Sequence, residues 1–203
     1  MRYPFLICGL ILAGCATPPQ TGTQQLSSKQ AFDIGSWAYQ NAFPGVSQAE
    51  AAERMKIMSQ SRSAYPCIRQ QLGYAGLVIV HVPDFEIRSY FKGDAEQQLA
   101  ACTDDANFRA IKTEFSVADL ERDKDVADVA LRAAGIEPSV LVVPYGHMDH
   151  QDEPYGESFT TTDGHVLVSV PKEIVNRAET VLAPLALKTV YVREEVIDVI
   201  VPT

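Results

Sequence analysis

The stretch LVIVHVPDFEIRSYF, residues 77–91, decides how this chain is read. Two β-rich runs, Leu77–Val82 and Phe85–Phe91, meet at Pro83-Asp84. Such a pair marks a turn, because proline presets φ and aspartate hydrogen-bonds the backbone just beyond it. In the second run Phe85, Ile87 and Phe91 fall on one face, and Glu86, Arg88 and Tyr90 on the other. That period of two predicts an antiparallel hairpin with one face on a core.

Downstream, Asp94–Ala101 reads as a short helix and Phe108–Phe115 alternates as a strand. Ser116-Val117-Ala118-Asp119 has the form of a helix start, and Gly135 suits the left-handed position past a helix end. Between them Leu120, Ala127, Leu131 and Ala134 form an apolar stripe, while the acidic first turns favour the helix dipole. Ser139–Val143 is a strand, 144–164 a loop by composition, and Val166–Val170 a strand. Lys172–Ala183 is a helix with Ile174, Ala178, Val181 and Leu182 inward; Lys188–Val192 is a strand, followed by an apolar run at Val196–Val201. Upstream, Ser47-Gln48-Ala49-Glu50 has the form of a capping box opening a helix to about Arg62, with a continuation toward Gln71. Its stripe of Ala52, Met55 and Met58 reads as core contact. Trp37 with Phe32, Tyr39 and Phe43 reads as docking the N-terminal segment on the core, with a recognition surface as the alternative.

Interleaved strands and helices with one apolar face each predict an α+β fold, its helices packed on largely antiparallel sheets. The order is ββαβαβ followed by βαβ, which allows two small subdomains. The expected divisions are a leader at 1–14, a flexible tether at 15–30, a helix plus α+β subdomain at 31–143, an acidic loop at 144–164, and a βαβ subdomain with a C-terminal strand at 165–203.

At 203 residues and 46% hydrophobic, the chain is too apolar for disorder. Seventeen Lys and Arg against 26 Asp and Glu give a net charge of −9. Nucleic-acid binding draws its affinity from phosphate neutralisation, so no nucleic-acid partner is expected. No stretch after residue 14 is long and apolar enough to span a bilayer.

Met1-Arg2 followed by an apolar run to Ala13 has the form of an export signal. It closes on Leu12-Ala13-Gly14-Cys15, which resembles the lipobox of bacterial lipoproteins. The resemblance implies cleavage before Cys15, diacylglycerol on its sulfur and acylation of its new amino group. Several acyl chains at about 0.8 kcal/mol per buried methylene would make a permanent anchor. Ala16, where sorting to the inner membrane would use Asp, leans toward the outer membrane, and the expected location is a bacterial cell envelope, facing the periplasm. Thr17–Gln30 is rich in Pro, Thr, Gln and Ser and reads as the tether. With Cys8 in the leader and Cys15 lipidated, Cys67 and Cys102 remain; an oxidising compartment predicts that they form a disulfide, with two buried thiols as the alternative.

Tyr74-Ala75-Gly76-Leu77, followed by Val82-Pro83-Asp84-Phe85-Glu86-Ile87-Arg88, resembles a pattern in the pro-regions of secreted serine proteases of the alpha-lytic and streptogrisin group. Ser116-Val117-Ala118-Asp119-Leu120 matches the helix start of that pattern, and Thr161–Val192 would be its second βαβ unit. Asp163-Gly164-His165-Val166-Leu167-Val168 departs from the family's Asn-Arg-Val strand. The similarity spans about 70–192. It implies the fold, and permits a role in inhibiting or chaperoning a separate protein such as a serine protease. In that family the C-terminal tail lies in the protease cleft, which points here to Val196, Ile197, Val199, Val201 and Thr203 as partner-binding residues acting by strand addition.

His147-Met148-Asp149-His150-Gln151-Asp152-Glu153 is the one cluster with metal-ligand character. His147 and His150, with His165 as a third nitrogen, suit a divalent transition metal, although an acidic exposed loop is the simpler reading. Ser158 lies in Gly-Glu-Ser-Phe, which is not a nucleophile turn, and no catalytic motif is present. The expectation is a lipid-anchored, non-enzymatic module that binds another envelope or secreted protein, with metal binding by the His147–Glu153 loop as the alternative.

Overall fold

The structure is a computed structural model and describes residues 27–146 and 163–195. Helix α1 (Ser28–Ala42) is opened by a reciprocal capping box. The Ser27 side chain accepts from the Gln30 N–H, and the Gln30 side chain accepts from the Ser27 N–H. Helix α2 (Gln48–Ser61) forms only half of its expected box. Ser47 accepts from the Glu50 N–H, but the Glu50 carboxylate turns down the helix to the buried guanidinium of Arg54. A charge-assisted bond to a desolvated cation outcompetes a bond to an exposed amide.

These two helices pack through Tyr39, Val46 and Ala51, with Phe43, Met55 and Met58 around them. The expected docking of the N-terminal segment therefore falls to Tyr39 and Phe43. Trp37 is 62% exposed, and Phe32 also reaches solvent. The cause is helical period: Tyr39 and Phe43 lie one turn apart on the buried face, while Trp37 points away from it.

A 3-10 turn leads into α3 (Tyr65–Gln70). Strands β1 (Tyr74–Val80) and β2 (Glu86–Lys92) form the expected antiparallel hairpin. Helix α4 (Ala95–Ala100), capped by Asp94, carries the chain over to β3 (Phe108–Thr113), which pairs parallel to β2. Ile87 and Phe91 meet Ile68 of α3, Leu99 of α4 and Phe108 in one core. Each such buried side chain contributes about 1.5–3 kcal/mol. The Cys67–Cys102 disulfide ties α3 to the turn after α4, with the Cα atoms 5.5 Å apart.

Helix α5 (Val117–Ala133) starts on a complete Ser116–Asp119 capping box and stops at Gly135, whose φ of +71° is the left-handed position expected there. Strands β4 (Ser139–Val143) and β5 (His165–Val170) pair antiparallel. Helix α6 (Val175–Leu182) crosses over to β6 (Val190–Glu194), parallel to β5. Ala127 and Leu131 of α5 join Val168, Val170, Ala178 and Leu182 in a second core.

The α+β class and the two-subdomain organisation stand, but the sheets are mixed rather than largely antiparallel. Among the described residues each is a three-stranded sheet with one antiparallel and one parallel pairing around a central strand. The reason is that α4 and α6 are crossover connections, which return the chain in its starting direction. Pairing also assigns β4 to the second sheet, so the molecule is two ββαβ units joined by α5.

Candidate functional site

Helices α3 and α4 pack on one face of the first sheet, through Ile68 and Leu99 against Ile87, Phe91 and Phe108. In the β2–β3 register Arg88 lies beside Arg109 and Tyr90 beside Ile111, which puts these four on the face away from α3 and α4. The second unit supplies the opposite wall from Lys188, Thr189 and Tyr191, at and just before β6. Between the walls runs an open groove of about 850 Å³. Among the described residues β3 and β6 are the last strands of their sheets, and residues of both line the groove.

Tyr145 holds the two units at this distance. Its N–H donates to the Ala75 carbonyl at 3.0 Å, its ring stacks near Tyr90 with centroids 6.1 Å apart, and its hydroxyl accepts from the Phe115 N–H at 3.4 Å. Burial pushes the phenol pKa up, against smaller opposing contributions from its backbone hydrogen bonds. Two glycines make room for it. A Cβ on Gly76 would lie 2.2 Å from the Tyr145 carbonyl oxygen, and one on Gly164 would lie 2.5 Å from the ring. The far wall is fixed from behind, where the buried Thr189 hydroxyl donates to Asp123 of α5 at 2.7 Å.

The lining carries four cations, Arg88, Arg109, Lys112 and Lys188, against Glu114 and Asp163. Glu86 beside the groove pairs with both arginines. Burial works against the Arg88 charge, and Glu86 more than restores it, leaving the guanidinium pKa above its ordinary value. In a chain of net charge −9 this is a local reversal of sign. The groove offers charge pairing to anionic groups, aromatic contact from Tyr90 and Tyr191, and main-chain pairing along two strand edges.

Of the residues singled out in the sequence, Cys67 and Cys102 are bonded to each other. His165 opens β5, 6% exposed, with Nδ1 2.9 Å from the Asp163 carbonyl oxygen and its ring edge-on to Tyr191 at 5.4 Å. Cys15, His147, His150, Val196, Ile197, Val199, Val201 and Thr203 lie outside the described residues. Among the described residues no group of three or more His, Cys, Asp or Glu is placed to hold a metal ion, and no helix is long and apolar enough to cross a membrane.

Sequence reasoning put Arg88 and Tyr90 on the outward face of the hairpin, but did not single them out as a site. Arg109, Lys188 and Tyr191 carried no signal, because what assembles them is the packing of two sheets distant in sequence. A scan of the chain against protein-family models finds no match, and a search of curated proteins finds none.

Proposed function

We propose that this protein is a lipid-anchored component of a bacterial cell envelope that binds another protein without catalysis, taking an extended segment of that partner into the groove between β3 and β6. The observation that carries the reading is the groove itself, bounded by two strand edges and lined with cations and tyrosines in an otherwise acidic chain. A partner strand that adds to either edge gains main-chain hydrogen bonds, while alternate side chains meet the arginines and tyrosines. The lipobox-like Leu12-Ala13-Gly14-Cys15 supports the anchor, and a disulfide suits an oxidising compartment. The resemblance to protease pro-regions supports a secreted serine protease as the class of partner. The apolar run Val196–Val201 follows β6 closely in sequence and is the second contact element of this reading.

The test is site-specific photo-crosslinking in intact envelopes, with the reactive side chain at Ile111 or Tyr191, and at Leu72 as the control. Leu72 is 97% exposed and lies outside the groove lining. The reading expects a discrete protein adduct from Ile111 and Tyr191, weakened by Arg109→Glu, and none from Leu72. No adduct from the groove positions, or the same adducts from all three, would refute it.

A further inference from the structure

We infer that the outward face of α1 docks on the surface of the lipid bilayer, so that the protein is held at the membrane by a helix face as well as by its anchor. This rests on the lipid-anchor reading above. On a helix, Gln30, Ile34, Trp37, Ala38 and Asn41 fall along one stripe, and all five are exposed. Trp37 and Ile34, at 62% and 52% exposed, are its apolar centre. The five residues of the stripe are uncharged; Asp33, exposed and one turn before Trp37, lies at its border, and Lys29 is the other charged residue of the helix.

Tyr39 and Phe43 turn the opposite side of α1 toward α2 and His81, so the stripe is the face left without a protein neighbour among the described residues. The bilayer is singled out as its occupant by covalent reach. Twelve residues separate Cys15 from Ser28, so even at full extension, about 3.5 Å per residue, α1 begins within about 45 Å of the lipidated residue. Those twelve carry no charge either. The chain as a whole is strongly acidic, and an anionic membrane repels its acidic surface but not a neutral stripe such as this one. Tryptophan favours the interface, where its ring is half in hydrocarbon and its N–H is wet. Two apolar side chains bind a membrane weakly, but the anchor makes the contact intramolecular, and that raises its effective concentration.

The chain has one tryptophan, so its emission reports this face alone. The experiment places the full-length, acylated protein in phosphatidylethanolamine–phosphatidylglycerol vesicles with and without bromine-labelled acyl chains, after mass spectrometry of the N-terminal peptide. The expected result is a blue-shifted Trp37 emission quenched by brominated lipid and protected from aqueous iodide. Ile34→Glu should return Trp37 to iodide while the protein stays in the membrane. An acylated protein whose Trp37 remains open to iodide and untouched by bromine overturns the inference and leaves the anchor intact. A blue shift that brominated lipid does not quench assigns the face to a second copy of the chain and also overturns it. An N-terminal peptide with no acyl group overturns the anchor reading, and this inference with it.

Discussion

Tyr145 gives the most demanding check on the architecture, because its side chain is where the two ββαβ units meet. Its ring is buried against Tyr90 and Gly164. Tyr145→Ala should cost about 3–5 kcal/mol, the range for deleting a buried aromatic that the surroundings cannot replace. The hydroxyl contributes little of this. Its bond from Phe115 is long at 3.4 Å, so Tyr145→Phe should cost about 0.5 kcal/mol. Gly164→Ala puts a methyl 2.5 and 2.7 Å from two ring carbons and 3.1 Å from Leu120 Cδ1. Overpacking of that kind costs about 1–3 kcal/mol. With Tyr145 already replaced by Ala, Leu120 Cδ1 is the one left of the three nearest atoms, and that methyl can rotate away. The Gly164→Ala cost should then nearly vanish, leaving a coupling of about 1–3 kcal/mol between the two sites. Urea unfolding followed by far-ultraviolet circular dichroism reads each free energy as a shift in midpoint at unchanged slope. Additivity within about 0.5 kcal/mol would refute the claim that this ring occupies the space Gly164 leaves open.

Two further outcomes follow from other parts of the molecule. Replacing Cys67 and Cys102 by Ala opens a loop of 35-residue separation, and the chain-entropy relation predicts a loss of about 4 kcal/mol; urea unfolding that shows a loss below about 1 kcal/mol would count against it. His81 sits between Tyr39, Phe43 and the Arg54 side chain, and burial, then the Arg54 charge, lowers its pKa. The unfolded chain therefore takes up this proton first as pH falls below about 6.5. Stability contributed by the neutral imidazole is present above that value and is lost on acidification toward the folded pKa. His81→Gln should flatten the stability profile below about pH 6.5, and an unchanged profile would show that another group sets it.

Much of the local structure was legible in the chain. The 77–91 hairpin, the Ser116-capped helix with its Gly135 stop, the Ser139–Val143 strand and the α6 stripe form where patterning placed them. Each depends on neighbours within a few residues, through capping, turn chemistry or period. The reading failed first where a choice depended on competition. Glu50 completes a capping box by sequence but meets the Arg54 guanidinium in the structure. Trp37 looks like a docking aromatic until the phase of α1 turns it outward.

What the sequence determined by itself was the α+β class and the order of elements from α2 to β6, since hydrophobic period and cap signals are carried by adjacent residues; the cysteine pair followed from the expected compartment, and α1, whose first residues fall in the expected tether, carried no prediction. Only the tertiary structure decided that the two sheets are mixed and alike, that β4 belongs with β5, and that Arg88, Arg109, Lys188 and Tyr191 line one groove. Those outcomes depend on which strand edges pair after the crossovers, and on how far apart Tyr145 sets the two units. Pairing and packing of that kind join residues as far apart as Arg88 and Tyr191, and no local pattern records the distance between them.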